Sequence, residues 1–148
     1  MNNQLVPEFT VELYVYDLSH GMARMLSQQF LGKQIDAIYH TGVVVYGYEY
    51  YFGGGIVYSR PGQSSAGHPI QKLMIGHTAK TQQQFHDYLI SQSHRFTQST
   101  YSLLRHNCNN FSDEMTLWLC DRHIPSHILN LPQDAFSTPQ GQVFVRIT

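Results

Sequence analysis

The sequence has little charge, few cysteines and no long apolar run. Of its 148 residues, 13% are charged, and the formal net charge is -1. No apolar stretch approaches the ~20 residues of a membrane-spanning helix, and the start MNNQLVPEFT has no signal-peptide pattern. The nine Lys and Arg residues are scattered, so no basic stripe for nucleic acid is expected. We therefore expect neither a membrane span nor a nucleic-acid partner.

The scarcity of cysteine also excludes a disulfide framework. Cys108 and Cys120 are the two cysteines, and both fall in one predicted helix. Twelve residues of helix separate their Cα atoms by ~18 Å, whereas a disulfide requires less than about 7 Å. Two free thiols suit a reducing compartment. We expect a cytoplasmic location, and leave the nucleus open as a second one.

What the chain does contain is typical of one well-packed domain. Apolar residues make up 42% of the sequence, and no internal repeat or linker divides it. Apolar and polar residues alternate over 10–17, which predicts a strand. The β-branched and aromatic stretch 37–46, the turn residue Gly47 and the stretch 49–52 predict a β-hairpin. A further strand is predicted over 70–75.

Helical patterns flank these strands. Apolar residues at helical spacing predict a helix over 22–30, which ends at Gly32 and is expected to cover the sheet. Thr81 and Gln84 form a capping box for a second helix that ends near Ser93. The sequence after Phe136 gives no clear pattern.

Cys108 lies where a strand-like stretch over 101–104 gives way to a third, buried helix. A cysteine in the first turn of a helix lies near the positive end of the helix dipole and near free N–H groups. We therefore expect the pKa of its thiol to be lowered and the thiolate to be a nucleophile. The same N–H groups can bind an oxyanion. The alternative is a small buried side chain without chemistry.

A nucleophilic cysteine needs a base, and the chain has nine histidines. His40 is favoured because it lies within a predicted strand, two residues before Gly42, which permits close backbone approach. A histidine that serves only packing is the alternative.

Metal binding is the rival chemistry for the remaining histidines. His106 lies two residues before Cys108, and His123 and His127 have the i, i+4 spacing of a zinc helix. Pro125 interrupts that helix, and no second cysteine pair completes a site. We expect no metal and no cofactor.

With these residues in place, the chain resembles the PPPDE superfamily of papain-like peptidases, and within it the desumoylating isopeptidase (DeSI) family. The resemblance covers nearly the whole chain and is carried by the blocks VELYVYDLSHGMA, LGKQIDAIYHTGVVVYGYEYYFGGGI, YSLLRHNCNNFSDE, and IPSHILNLP with the following STPQGQ. It implies a circularly permuted papain-like α+β fold, with an antiparallel sheet packed against helices and the catalytic cysteine at a helix N-terminus. The peptidase domain would span 8–140, with short terminal segments at 1–7 and 141–148.

The resemblance also implies a function. Cys108 and His40 would form the catalytic dyad of a cysteine isopeptidase that works through an acyl-enzyme. The bond cleaved would join SUMO, or a related ubiquitin-like modifier, to a target protein. The conjugated proteins would be its partners, and the enzyme would be a homodimer with its groove near the subunit interface.

Five residues are candidates for substrate binding. Gly53 and Gly54 would help shape a narrow groove for a Gly-Gly tail. Tyr39 stands where close relatives are expected to have Trp, so it would alter the groove wall and the substrate accepted. Asn107 and Asn109 are alternatives for an oxyanion or orienting role.

Two other functions remain open. Lecithin:retinol acyltransferase-like proteins share the N-C-x-x-F pattern of Asn107, Cys108 and Phe111, but carry a second histidine where this chain has Phe52. A soluble S-acyl thioesterase is therefore an alternative, and so is an adaptor that binds ubiquitin-like modifiers without turnover. Asp121 replaces the glycine expected after the catalytic helix, so we expect that helix to end differently.

Overall fold

The computed structural model describes residues 6–147. Its elements, in chain order, are β1 (Phe9–Asp17), α1 (Met22–Leu31), β2 (Tyr39–Val45), β3 (Tyr48–Phe52), β4 (Ile56–Ser59), β5 (Gln71–Thr78), α2 (Gln82–Gln92), α3 (Cys108–Cys120), α4 (Ser126–Leu129), α5 (Leu131–Phe136) and α6 (Pro139–Ile147). The predicted strands, the hairpin and the helices over 22–30, from Thr81 and from Cys108 are confirmed. The ambiguous C-terminal stretch forms α6. No helix in the described range is long and apolar enough to cross a membrane.

The strands form one antiparallel sheet in the order β4-β3-β2-β1-β5. The β2–β3 hairpin turns at Tyr46 and Gly47, whose φ angles of 56° and 81° are both positive. Positive φ at both central residues suits the right-handed twist of a two-residue hairpin. In the β1–β2 register, Tyr16 lies opposite His40 and Leu13 opposite Val43. That register fixes which side chains share each face of the sheet.

The two faces of the sheet have different roles. One face, with the aligned residues Leu13, Val43 and Tyr50, packs against Phe111 and Met115 of α3 in the main core. The expectation that α3 is a central buried helix is therefore confirmed. Because side chains alternate along a strand, the opposite face carries Tyr16, His40 and Glu49.

Helix α1 does not cover the sheet, so that prediction is wrong. Its buried residues Ala23 and Leu31 pack in a second apolar cluster with Ala135 and Phe136 of α5, and α1 also contacts α6. The apolar residues that suggested a sheet-facing stripe, Met25 among them, are exposed. The helical spacing of apolar residues predicted the helix correctly, but it did not indicate which part of the protein the helix packs against.

The helix ends follow local chemistry. Thr81 and Gln84 form the predicted capping box, and Gly32 ends α1 in the left-handed conformation. Asp121 ends α3 with φ 56° and ψ 35°, also left-handed. The prediction that replacing glycine would change this helix end is therefore wrong, because aspartate tolerates that conformation better than most residues.

Candidate active site

A capping box fixes the start of α3 at Cys108. The Asn107 Oδ1 accepts hydrogen bonds from the N–H groups of Asn109 at 2.8 Å and Asn110 at 3.1 Å. In return, the Asn107 N–H donates to Asn110 Oδ1 at 2.9 Å. The Cys108 N–H is then the first-turn amide to which no carbonyl or capping side chain of the described residues is bonded. It lies beside its own thiol, where it can stabilise a developing negative charge.

Buried polar side chains tie this helix start to β2. The Thr41 hydroxyl donates to Asn109 Oδ1 at 2.8 Å and lies 2.8 Å from the Ser112 hydroxyl. The Asn109 Nδ2 donates to the Tyr39 carbonyl at 3.0 Å. Thr41, Asn109 and Ser112 are all buried. Cys108 is therefore held beside the strand that carries His40.

The chain segment that precedes Cys108 is not a strand, so the prediction of a strand-like stretch over 101–104 is wrong. Ser102 and His106 form an isolated bridge, with both N–H to O distances at 2.9 Å. The chain turns tightly between them, and Leu103 O accepts a hydrogen bond from Asn107 Nδ2 at 2.9 Å. The apolar residues of this segment pack as a turn, which alternation alone did not distinguish from a strand.

His40 is buried, with 8% of its surface exposed. Its imidazole lies between two tyrosine rings. The ring centroids of Tyr16 and Tyr51 are each 5.5 Å away, and the interplanar angles are 50° and 81°. The Nε2 atom has no hydrogen-bond partner among the described residues. The ring is therefore oriented by packing.

Cys108 and His40 line the same cavity, which has a volume of about 330 Å³. Gly53 and Tyr51 form part of its wall, and the loop residue Ser64 closes another side. The Cys108 thiol is hydrogen-bonded to Asn109 Oδ1, with an S to O distance of 3.8 Å. The cavity gives a substrate carbonyl access to the thiol and the imidazole together.

Burial dominates the protonation of both groups. It raises the pKa of the Cys108 thiol to about 11, against a smaller lowering by the backbone N–H groups of Thr41, Cys108 and Asn109. It also lowers the pKa of His40 to about 4. The expected lowering of the Cys108 pKa is therefore wrong, because removing a thiolate from water outweighs the helix start. At neutral pH the pair is a thiol and a neutral imidazole.

Of the five candidate substrate-binding residues, one lines this cavity and three line the apolar cavity beside it. Gly53 lines it, and Tyr39 lines a neighbouring apolar cavity that also reaches Cys108. Gly54 is exposed, with φ 78°, and lines neither of these two cavities within the described range. The side chains of Asn107 and Asn109 are engaged in capping α3 and in holding it to β2.

The histidines considered as metal ligands have protein partners. His106 Nε2 lies 2.6 Å from the Arg95 carbonyl, and His123 Nδ1 lies 3.0 Å from Asp113. Within residues 6–147, no group of three or more His, Cys, Asp or Glu side chains is placed to hold a metal ion.

Sequence reasoning missed a buried acid near His40. Glu49 has no exposed surface, and it accepts hydrogen bonds from the Tyr16 hydroxyl and the Gly62 N–H. A signal was present, since Glu49 is a lone acid inside the aromatic strand YEYYF. Thr41 gave a similar signal, as a polar residue that begins an otherwise apolar run in β2.

A helix that begins with cysteine and packs on an antiparallel sheet, beside a strand histidine, is the architecture of a papain-like cysteine hydrolase. The sequence also matches the model of the PPPDE peptidase domain over residues 9–148. This chain belongs to the PPPDE peptidase family, and the α+β fold expected from the resemblance is confirmed.

Curated relatives are similar over most of the chain. It is 46% identical over 136 residues to desumoylating isopeptidase 1 of Homo sapiens, covering 90% of this chain and 81% of that protein. The identity to desumoylating isopeptidase 1 of Rattus norvegicus is 45%, with the same coverage. For the Xenopus laevis protein of that name it is 42%, covering 89% of this chain and 79% of the relative.

Proposed function

We propose that this hydrolase is a cysteine isopeptidase that releases SUMO, or a related ubiquitin-like modifier, from target proteins. The observation that carries the proposal is the single cavity lined by both Cys108 and His40. The names of the similar animal proteins supply the substrate class. Cys108 is the nucleophile and His40 is the base that becomes the acid.

The reaction starts from the neutral pair. As the Cys108 sulfur attacks the isopeptide carbonyl, its proton passes to the unprotonated imidazole of His40. The carbonyl oxygen becomes an oxyanion, and the Cys108 N–H is placed to donate to it. Collapse of the intermediate breaks the C–N bond, and His40 returns the proton to the departing lysine amine. Water then hydrolyses the thioester, with His40 again as base.

The cavity wall suits a thin substrate tail. Gly53 is exposed, lines the cavity and presents no side chain. Tyr39 forms part of the wall on the other side of Cys108. A tail of two glycines is narrow enough to pass such walls, which also include Tyr51. Gly53 and Tyr39 are therefore the substrate-binding residues in this proposal, and Gly54 contributes through the shape of the same turn.

The proposed enzyme acts on SUMO-conjugated proteins as a homodimer in the cytoplasm, with the nucleus as a second location. The domain boundaries of 8–140, with terminal segments 1–7 and 141–148, stay a prediction, and α6 runs across the second boundary and contacts α1. The homodimer and the location are inferred from the family resemblance. Gel filtration with light scattering tests whether the protein is a dimer.

Labelling with electrophilic probes tests the function. Probes derived from SUMO and from ubiquitin would be incubated with wild type, Cys108→Ser, His40→Ala and the control Cys120→Ser. Capture of the SUMO probe by wild type and Cys120→Ser alone supports the proposal. Capture that survives Cys108→Ser refutes the nucleophile. Specific binding of SUMO conjugates without turnover would indicate the adaptor function.

A soluble S-acyl thioesterase is the second candidate, because the neighbouring cavity beside Cys108 is strongly apolar. Its lining includes Leu18, Ile35, Ile38, Leu103, Leu131 and Phe136. An apolar wall next to the nucleophile favours a fatty acyl group over a polar tail. An acyl-thioester substrate distinguishes the two, since turnover of the thioester together with failure to capture either modifier probe would replace the isopeptidase proposal.

A further inference from the structure

The orientation of His40 has no hydrogen bond to explain it. In Cys-His and Ser-His enzymes, a third polar group usually bonds the far nitrogen of the histidine and holds the ring. Here the imidazole of His40 makes no hydrogen bond to the described residues, and its Nε2 is buried without a partner. The contacts that fix the ring are the faces and edges of Tyr16 and Tyr51. The residues that fix the positions of Tyr16 and Tyr51 therefore also fix the position of the His40 imidazole.

Tyr16 is itself anchored by a buried carboxylate. Its ring has no exposed surface, and its hydroxyl lies 2.9 Å from Oε1 and 2.8 Å from Oε2 of Glu49. The pKa of Tyr16 is raised by burial, by this hydrogen bond and by the charge of Glu49. The hydroxyl therefore stays protonated and keeps donating. The Tyr16 ring, which packs against His40, is therefore anchored through its hydroxyl.

Glu49 reaches this position because of the sheet register. His40 and Gly42 are two residues apart on β2, so they share one face of the sheet. A side chain at Gly42 would overlap the Glu49 carboxylate, which therefore lies over the backbone next to His40. The Gly62 N–H also donates to Glu49 Oε1 at 2.8 Å. Glu49 thus joins β1, β3 and the loop that continues into the cavity wall.

The second buried acid of the described range has another task. Asp113 accepts hydrogen bonds from the Ile124 N–H at 2.9 Å and pairs with His123, which stabilises the turn after α3. That leaves Glu49 as the buried carboxylate on the face of His40. Burying a carboxylate is costly unless its partners compensate, and a packing role alone would be served by an apolar residue.

We propose that Glu49 and Tyr16 are positioning residues for His40, in place of a hydrogen-bonded third catalytic group. Glu49 fixes the Tyr16 hydroxyl, and the Tyr16 ring then holds the imidazole toward the cavity that contains Cys108. The inference rests on the proposed function, because it assumes that His40 is the base. A displacement of about 1 Å in such a base is enough to reduce a rate by about a hundredfold.

Tyr16→Phe provides the first test, with Tyr14→Phe as the matched control. Both changes remove one hydroxyl from the same face of β1, but Tyr14 lies opposite Gly42 and not opposite His40. We expect Tyr16→Phe to lower kcat at least tenfold with KM within twofold of wild type, and Tyr14→Phe to change neither. The imidazole NMR signals of His40 should broaden or split in Tyr16→Phe alone. Equal kcat in the two variants overturns the proposal.

Changes at Glu49 provide the second test. Glu49→Gln keeps an oxygen that accepts from Tyr16, so its kcat should stay within about threefold of wild type. Glu49→Ala removes that oxygen and should resemble Tyr16→Phe, with kcat taken from folded protein only. A folded Glu49→Ala with wild-type kcat refutes the inference. If Glu49→Ala does not fold, the comparison of Tyr16→Phe with Tyr14→Phe tests the positioning role by itself.

His40→Ala distinguishes a failure of the proposed function from a failure of the positioning role alone. If His40→Ala keeps wild-type activity, the proposed function fails at its base. If His40→Ala is inactive while Tyr16→Phe retains full kcat, the dyad stands and only the positioning role is refuted.

Discussion

Burial of neutral His40 should make this protein sensitive to mild acid. Its pKa is lowered from 6.5 to about 4 by removal from water, whereas in the unfolded chain it returns to 6.5. Below pH 6.5 the unfolded state therefore binds a proton that the folded state does not. The stabilisation is fully present above pH 6.5 and is lost as the pH falls toward 4.

The size of the loss follows from the two pKa values. Each pH unit inside this window reduces the free energy of unfolding by about 1.4 kcal/mol. Relative to pH 7, the loss from His40 is about 1 kcal/mol at pH 5.5 and about 2 kcal/mol at pH 4.5. A domain with 5–15 kcal/mol of total stability, the ordinary range, would show this clearly.

Urea unfolding at pH 7.0, 5.5 and 4.5 measures the effect. His40→Asn removes the titrating group, so its stability should fall less than that of wild type, by about 2 kcal/mol at pH 4.5. The control is His94→Asn. Because His94 is exposed, this variant should lose as much stability between pH 7.0 and 4.5 as wild type does. If wild type and His40→Asn lose equal stability between pH 7.0 and 4.5, His40 is not held neutral by burial.

Three further outcomes follow from the same contacts. The alkylation rate of Cys108 by iodoacetamide, followed by mass spectrometry beside Cys120, should rise about tenfold per pH unit from pH 8 to 10, since the pKa is about 11; a plateau below pH 8 contradicts this. Asn107→Ala should lower stability by about 1 kcal/mol through loss of the cap, measured by urea unfolding. Gly42→Ala should lower it by about 1–3 kcal/mol, because the new methyl group meets Glu49; unchanged stability contradicts either expectation.

Local sequence signals were sufficient for several elements of this fold. The hairpin followed from a β-branched run that ends before Gly47, because a two-residue turn needs residues that accept positive φ. The start of α2 followed from Thr81 and Gln84, whose side chains satisfy amides at the helix end. The position of Cys108 at the start of α3 followed from the polar residues around it. Each of these is decided within a few residues of chain.

Features that depend on distant residues could not be read in this way. The partner of α1 is set by Phe136, more than a hundred residues later, and the spacing of apolar residues says nothing about that choice. The burial of Cys108 reverses the effect expected from the helix start, and it arises because Cys108 belongs to the main core together with Val43 of β2 and Phe52 of β3. Likewise, Glu49 becomes a buried anchor only because the register of β2 and β3 places it above Gly42.

The protonation of the resting pair bears on how the proposed reaction can proceed. A thiolate and an imidazolium formed before substrate arrives would both be charged in a buried cavity, where charges are poorly solvated. Proton transfer that accompanies attack avoids this, because the negative charge passes to the substrate oxygen as the proton reaches His40. The resting thiol is hydrogen-bonded to Asn109, so attack requires its hydrogen to turn toward the imidazole. A base held in place by packing, and ready before that turn, meets this requirement without a permanent ion pair.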